Sequence, residues 1–406
     1  MCPWRVPFTT RWAEYAEFGA LFFLHAMAMA LWFVPLSTVL EAHGLRDIRP
    51  MAFATTGVAA FVSPLIFGAM ADRHAAPTAV LRWLGVATAG AVALASTAIR
   101  LGWSPWLVLA LIQLHSLCAA PTWSISSTIV LSRLQDSKRQ FGPIRALATL
   151  GWAGGCWLVS GLGADNSPLA GYSSAVAWLA VAGFTYWLPS VEPPKSAGGT
   201  TLRQRLGLDA LVLLKHPDHR VVFITAALFS IPLAAFYPYT PPQLLELGFQ
   251  HTSAWMTLGQ ITEVIAMFSL AGLFLRWRLK WIFVAGLSFG LLRFGLAALN
   301  VKFWLLASIT LHGCAFTLVF ITAQIYLDQR VDAAWRGRAQ ALMTLMMSGL
   351  GNLLGFLGGG VWFAACASAA GTRWSLFWGG LAGVIAVVLA YFLVAYQGKG
   401  TKPANG

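Results

Sequence analysis

The stretch Leu258-Gly-Gln-Ile-Thr-Glu-Val-Ile-Ala-Met-Phe-Ser-Leu270 places a glutamate in the middle of an apolar run. Of the 14 acidic residues in the chain, Glu263 alone lies well inside such a run. A carboxyl group there is costly unless it faces a partner or a wet cavity, so by default it marks a functional site. Its chemistry would be to hold a polar solute or to take up and release a proton. The plainer reading is a carboxyl that bonds a neighbouring helix. Gln260 lies three residues earlier and shares its helical face.

Two arginines also fall inside apolar runs. In Phe141-Gly-Pro-Ile-Arg-Ala-Leu-Ala-Thr-Leu-Gly-Trp152, helical spacing puts Arg145, Thr149 and Trp152 along one face. A fork of donors, a hydroxyl and a flat ring suit a ligand with oxygens at one end and an aromatic or apolar body. The alternative is a snorkelling arginine beside a packing tryptophan. Arg293, in Leu291-Leu-Arg-Phe294, has no acidic neighbour on its own helix and is read as structural, bonding carbonyls or helix ends.

These side chains must be positioned by helices in a bilayer. The 406 residues are 58% hydrophobic and only 10% charged, too little charge for an ordinary soluble domain. Apolar runs of about 20 residues, each long enough to cross a membrane, recur along the chain. The spacing predicts spans at roughly 16–40, 51–71, 78–98, 104–130, 142–163, 169–189, 220–243, 252–275, 280–299, 303–326, 338–367 and 373–396. The first is too long for a signal-peptide core and has no small-residue cleavage site after it.

The net charge of +13 is an orientation signal and predicts no nucleic-acid partner. Of 27 Lys and Arg, 20 fall at the termini and in the loops on their side, and five, Arg46, Arg49, Arg100, Lys302 and Arg373, fall opposite. The positive-inside rule puts both termini in the cytoplasm, as an even number of spans requires. The five cysteines are scattered and suggest neither a disulfide framework nor a metal cluster, and no cofactor is expected.

Softer candidates complete the inventory. Ala235-Phe-Tyr-Pro-Tyr-Thr-Pro-Pro-Gln243 carries three prolines that should break the seventh span and free carbonyls beside Tyr237. Tyr239 reads rather as part of an outer aromatic belt. His312 and Phe316 lie one turn apart in the tenth span. His25 and His115 are read as packing residues able to bond across helices. Gly349, Gly351, Gly355 and Gly358-Gly-Gly360 permit close helix approach in the eleventh span.

The polar stretch 190–219 separates a six-span half, 1–189, from a second, 220–406. Two six-helix halves joined by a cytoplasmic linker resemble the major facilitator superfamily, an all-α membrane fold with its substrate site between the halves. Gly68-Ala-Met-Ala-Asp-Arg73 resembles that superfamily's Gly-x-x-x-Asp-Arg loop, though His74-Ala-Ala76 replaces the basic residues that usually follow.

A narrower resemblance rests on Pro121-Thr122, Arg133-Leu-Gln-Asp136, Phe141-Gly-Pro-Ile-Arg145 with Thr149, Leu206-Gly-Leu-Asp-Ala210, Gln260-Ile-Thr-Glu263, Leu292-Arg-Phe294 and Gly313-Cys-Ala-Phe316. In their order and spacing these resemble the bacterial nucleoside:proton symporters of that superfamily. The resemblance implies nucleoside contacts by Arg145, Thr149, Gln260 and Glu263, with Trp152 where the family can place a phenylalanine. It also marks departures. The seventh-span glutamine and asparagine fall near Ala234 and Tyr237, and the tenth-span tyrosine and acidic residue fall at His312 and Thr317.

The expectation is a bacterial inner-membrane carrier importing nucleosides or nucleoside-like solutes with protons by alternating access. Arg145 and Gln260 would bond the ligand, Trp152 would stack on the base, and Tyr237, His312 and Phe316 would complete the site. Glu263 would couple to protons, with His312 next in line. The alternatives are a carrier, possibly an exporter, of another small polar aromatic solute, or a transport-dead sensor. No nucleophile–base pair that would suggest a membrane enzyme is present.

Overall fold

The computed structural model describes residues 8–71, 76–134, 137–188, 201, 203, 206–369 and 371–398. Asp72 and Arg73 of the Gly-x-x-x-Asp-Arg loop, and Asp136, lie outside them. Each expected span is helical. The first half contains α1 (Phe8–Phe33), α2 (Leu36–Ala42), α3 (Arg49–Ala71), α4 (Pro77–Arg100), α5 (Pro105–Leu131), α6 (Ser137–Gly161) and α7 (Leu169–Phe184). Prolines start α4 and α5, where a missing N–H costs nothing because the first turn has no acceptor for it.

After a 3-10 segment at Leu208–Lys215 come α8 (Pro217–Leu233), α9 (Phe236–Glu246), α10 (Thr252–Met256), α11 (Leu258–Arg276), α12 (Leu279–Ala298) and α13 (Lys302–Phe316). A π-helical turn, Thr317–Ile321, leads into α14 (Thr322–Arg330). Then α15 (Ala333–Thr344) passes through a second π-helical segment, Leu345–Gly351, into α16 (Asn352–Cys366). A short strand pair, Ala367–Ser368 with Gly371–Thr372, precedes α17 (Trp374–Ala395). Eight helical stretches among the described residues are long and apolar enough to cross a membrane, the longest being Trp335–Cys366.

The seventh span breaks elsewhere than its prolines suggest. α8 ends at Leu233, just after Pro232, and α9 begins at Phe236. Pro238 occupies the first turn of α9, where no N–H is needed, so the hinge falls at Ala234–Ala235. Pro241 and Pro242 stay within α9 and withhold two backbone donors.

The chain divides into two compact units, Met1–His43 with Ile66–Ala197, and Gly44–Leu65 with Gly198–Gly406. In the first, α1 packs on α6 and α7, and α4 on α5 and α7. In the second, α12 packs on α13 and α17, α11 on α13, and α8 on α16 and α17. Most of α3 belongs to this second unit, where Phe53 meets Phe356 with ring centroids 5.6 Å apart. Within the eleventh span, a Cβ at Gly355 would lie 2.3 Å from the Ile231 carbonyl oxygen, the close approach its glycine series predicts.

Candidate functional site

In the first unit the candidate face is carried by α6, which lies against the backbone of α1. A Cβ at Gly151 would come within 2.1 Å of the Phe23 carbonyl oxygen, so only glycine fits there. Beside it, Thr149 is buried and Trp152 half-buried, its ring edge-on to Phe33 at 6.1 Å. The Arg145 guanidinium lies 4.4 Å from the centroid of the Trp123 ring on α5, a cation–π contact. Trp123 rests in turn against Phe22 and His25.

His25 is fully buried and bonds across helices on both ring nitrogens, Nε2 with Thr122 Oγ1 at 2.8 Å and Nδ1 with Ser126 Oγ at 3.1 Å. The Thr122 hydroxyl donates to the Ala119 carbonyl, so it accepts from Nε2–H. The two hydrogen bonds fix the imidazole in orientation. It forms a rigid wall behind the indole that carries Arg145. His115 packs edge-on to Trp32 at 6.0 Å.

In the second unit the candidates lie on four helices. α11 and α13 touch through their backbones: a Cβ at Gly313 would lie 2.1 Å from the Glu263 nitrogen and 2.3 Å from the Gly259 oxygen. Thr262 ties the same pair by donating its hydroxyl to the Thr310 carbonyl. This contact fixes the height and rotation of Gln260 and Glu263 relative to His312. Gln260 is buried, and its Nε2 approaches the Tyr237 hydroxyl at 3.5 Å, a long hydrogen bond. Glu263 is half-buried.

His312 stacks on Phe236, centroids 3.9 Å apart, stands 6.3 Å from the Phe316 ring and accepts a 2.6 Å hydrogen bond at Nδ1 from Arg293 Nη1. Arg293 is itself buried between Phe236 and Phe294, its guanidinium carbon 4.5 and 4.4 Å from their centroids. The π-helical turn begins at Thr317, whose buried hydroxyl has no hydrogen-bond partner among the described residues. Within this unit the fold thus brings Tyr237, Gln260, Glu263, His312 and Phe316 into one neighbourhood.

The family model for nucleoside H+ symporters matches residues 16–401. The chain belongs to that family. YegT of Escherichia coli (strain K12), a candidate nucleoside transporter, is 31% identical over 94% of this symporter and 93% of its own length. The xanthosine permease of the same organism is 25% identical over 82% and 84%. Among solved structures, a mutant of the nucleoside transporter NupG superposes with a TM-score of 0.86 at 24% identity, covering 95% of this chain and all of its own. The POT family transporter PepTSo does so with a TM-score of 0.70 at 15% identity, over 95% and 99%. The symporter has the twelve-helix major facilitator fold and is a transporter.

Two readings of the sequence need correction in this symporter. Arg293 bonds an imidazole nitrogen rather than carbonyls or a helix end, because it lies on the buried face of α12, turned toward α13 between two rings. Tyr239 belongs to no outer belt: it is 1% exposed and stacked on Phe363 at 4.6 Å, inside its unit. Phe236 and Trp123 were not singled out by their sequence context. The only cue for Trp123 was its place directly after Pro121-Thr122, and for Phe236 its place at the start of the broken seventh span.

Proposed function

We propose that this symporter imports nucleosides or nucleoside-like solutes across a bacterial inner membrane, each with protons, and that both termini lie in the cytoplasm. The orientation is supported by the excess of Lys and Arg in the loops on the side of the termini. The observation that carries the reading is Glu263, a carboxyl in an apolar helix one turn from buried Gln260, in a chain of the nucleoside H+ symporter family. The names of its relatives, a xanthosine permease and NupG among them, support the solute class.

In this reading Arg145 and Thr149 of the first unit and Gln260, Tyr237 and His312 of the second bond the polar atoms of the solute. Trp152 and Phe316 supply flat apolar surface for the base. Glu263 exchanges the coupled proton, its charged and neutral states favouring different conformations of the carrier. A site remodelled at Ala234 and Thr317 favours a narrower solute range than an all-polar pocket would.

Counterflow of labelled nucleosides in proteoliposomes, with and without an imposed pH gradient, tests class and coupling together. Counterflow without a gradient and accumulation with an inward proton gradient is the expected pattern. If no nucleoside exchanges while another small polar aromatic solute does, the substrate assignment fails and the transporter assignment stands.

A further inference from the structure

Resting on the reading that the second unit faces a nucleoside, we infer that the Arg293–His312 couple is a fixed hydrogen-bond donor that selects bases presenting a carbonyl oxygen. Arg293 acts as a positioning residue and His312 as the donor. An arginine has no acceptor, so at 2.6 Å from Nη1 the His312 Nδ1 must be the bare, accepting nitrogen. The imidazole proton therefore sits on Nε2, and Nε2 makes no hydrogen bond among the described residues.

The buried Nε of the same guanidinium has no hydrogen-bond partner among the described residues. Neither of the ion pairs Arg203–Asp209 and Arg336–Asp328 includes Arg293. The position that the family resemblance assigns to an acidic residue is Thr317, five residues beyond His312. The stack on Phe236, shared by His312 at 3.9 Å and the Arg293 guanidinium at 4.5 Å, prevents the ring from rotating to exchange its nitrogens. Each hydrogen bond that fixes one ring nitrogen also fixes the chemistry of the other.

The groups that could change the charge of the imidazole are few: Arg293 on α12, Tyr237 on α9, Glu263 on α11 and Cys314 on its own helix. A second proton on His312 would have to go to Nδ1, in place of the hydrogen bond from a cation. His312 is thus unsuited to carry the coupled proton. What it offers instead is a donor backed by the Arg293 guanidinium, in a setting of low dielectric that strengthens such a bond. A base edge with a carbonyl oxygen satisfies it, and an amino group in the same place meets it donor to donor.

Two measurements decide this. In protein labelled with 15N-histidine and reconstituted in proteoliposomes, the His312 signals are assigned by their loss in His312→Gln. They should show one bare and one protonated nitrogen at every pH from about 5 to 8. In Arg293→Met, checked for folding by its thermal transition, the ring should gain a titration in that range. An imidazolium in the wild type, or a proton on Nδ1, overturns the inference without bearing on nucleoside transport.

The second measurement compares labelled uridine with cytidine, and inosine with adenosine, in counterflow. The wild type should prefer the partner with a carbonyl oxygen in place of the exocyclic amino group, uridine and inosine, by roughly three- to tenfold, the worth of one hydrogen bond. His312→Gln, which can place an N–H near the Nε2 position, should keep that preference, and His312→Leu should abolish it. Equal use of both partners by the wild type, or a preference that survives in His312→Leu, refutes the selectivity. If none of the four nucleosides exchanges, the nucleoside reading itself fails and takes the ligand with it, while the nitrogen signals still report separately on the couple.

Discussion

Gly313→Ala adds one methyl group where two helices meet backbone to backbone. Its Cβ would stand 2.1 Å from the Glu263 nitrogen, 2.3 Å from the Gly259 oxygen and 2.6 Å from the Glu263 Cα. Ordinary contact begins near 3.4 Å, and none of these atoms belongs to a flexible side chain. The helices α11 and α13 must therefore part by about 1 Å or more at the level of Glu263, and overpacking of this kind costs about 1–3 kcal/mol. Against it stands the better helix propensity of alanine, worth at most about 1 kcal/mol. The same shift moves Gln260 and Glu263 relative to His312, and a misplacement of about 1 Å at a working site can lower turnover by as much as ~100-fold.

Two other glycines calibrate the result. Gly259→Ala meets its nearest neighbours at 3.3–3.5 Å and should be tolerated with slight loss. Gly272→Ala, on the same helix with nothing within 4 Å, should be neutral or stabilising by up to about 1 kcal/mol. The assay is the thermal transition in detergent beside nucleoside counterflow, at matched protein levels. Wild-type stability and exchange in Gly313→Ala, indistinguishable from Gly272→Ala, would refute the idea that this contact sets the site.

Three further outcomes are expected. Glu263→Gln keeps the shape of the side chain and removes its titration, so it should abolish accumulation driven by a pH gradient while exchange at equal pH survives; uphill uptake with the wild-type pH response would mean that another group couples the proton. Trp152→Phe should largely keep transport and Trp152→Ala should lose most of it, since a base stacked on an aromatic ring is worth roughly 1–3 kcal/mol; equal uptake by all three proteins removes Trp152 from the site. With Ala234 and Thr317 in place of polar and acidic groups, a competition panel should show weak or narrowed nucleoside recognition, and broad tight binding across the panel would contradict that expectation.

What the sequence made legible was whatever lies along one helix. Apolar runs of span length located the membrane helices because a bilayer demands about 20 residues per crossing. Helical periodicity set Arg145 beside Thr149 and Trp152, and Gln260 beside Glu263, because the spacing of neighbours on a helix is the same everywhere. What stayed hidden runs between helices. The partner of Arg293 is a histidine nineteen positions away on the next span, and no local pattern distinguishes that from a carbonyl or a helix end. The seventh-span hinge misled for a related reason: a proline disrupts a helix through the donor it lacks, and in the first turn of α9 that donor was never needed.

Gly313 joins the two kinds of information. Read along its helix it is one residue of a motif, with no chemistry of its own. Read across the interface it is the position that lets the Glu263 backbone sit against α13, and so it decides where the Glu263 carboxyl stands relative to His312. On the proposed reading, a proton-exchanging Glu263 and a non-titrating His312 donor held within one neighbourhood divide the work of a symporter, one group answering to the proton and the other to the solute. That division requires the spacing between them to be rigid, and a glycine contact that admits no Cβ supplies a spacing that side-chain packing alone would leave adjustable.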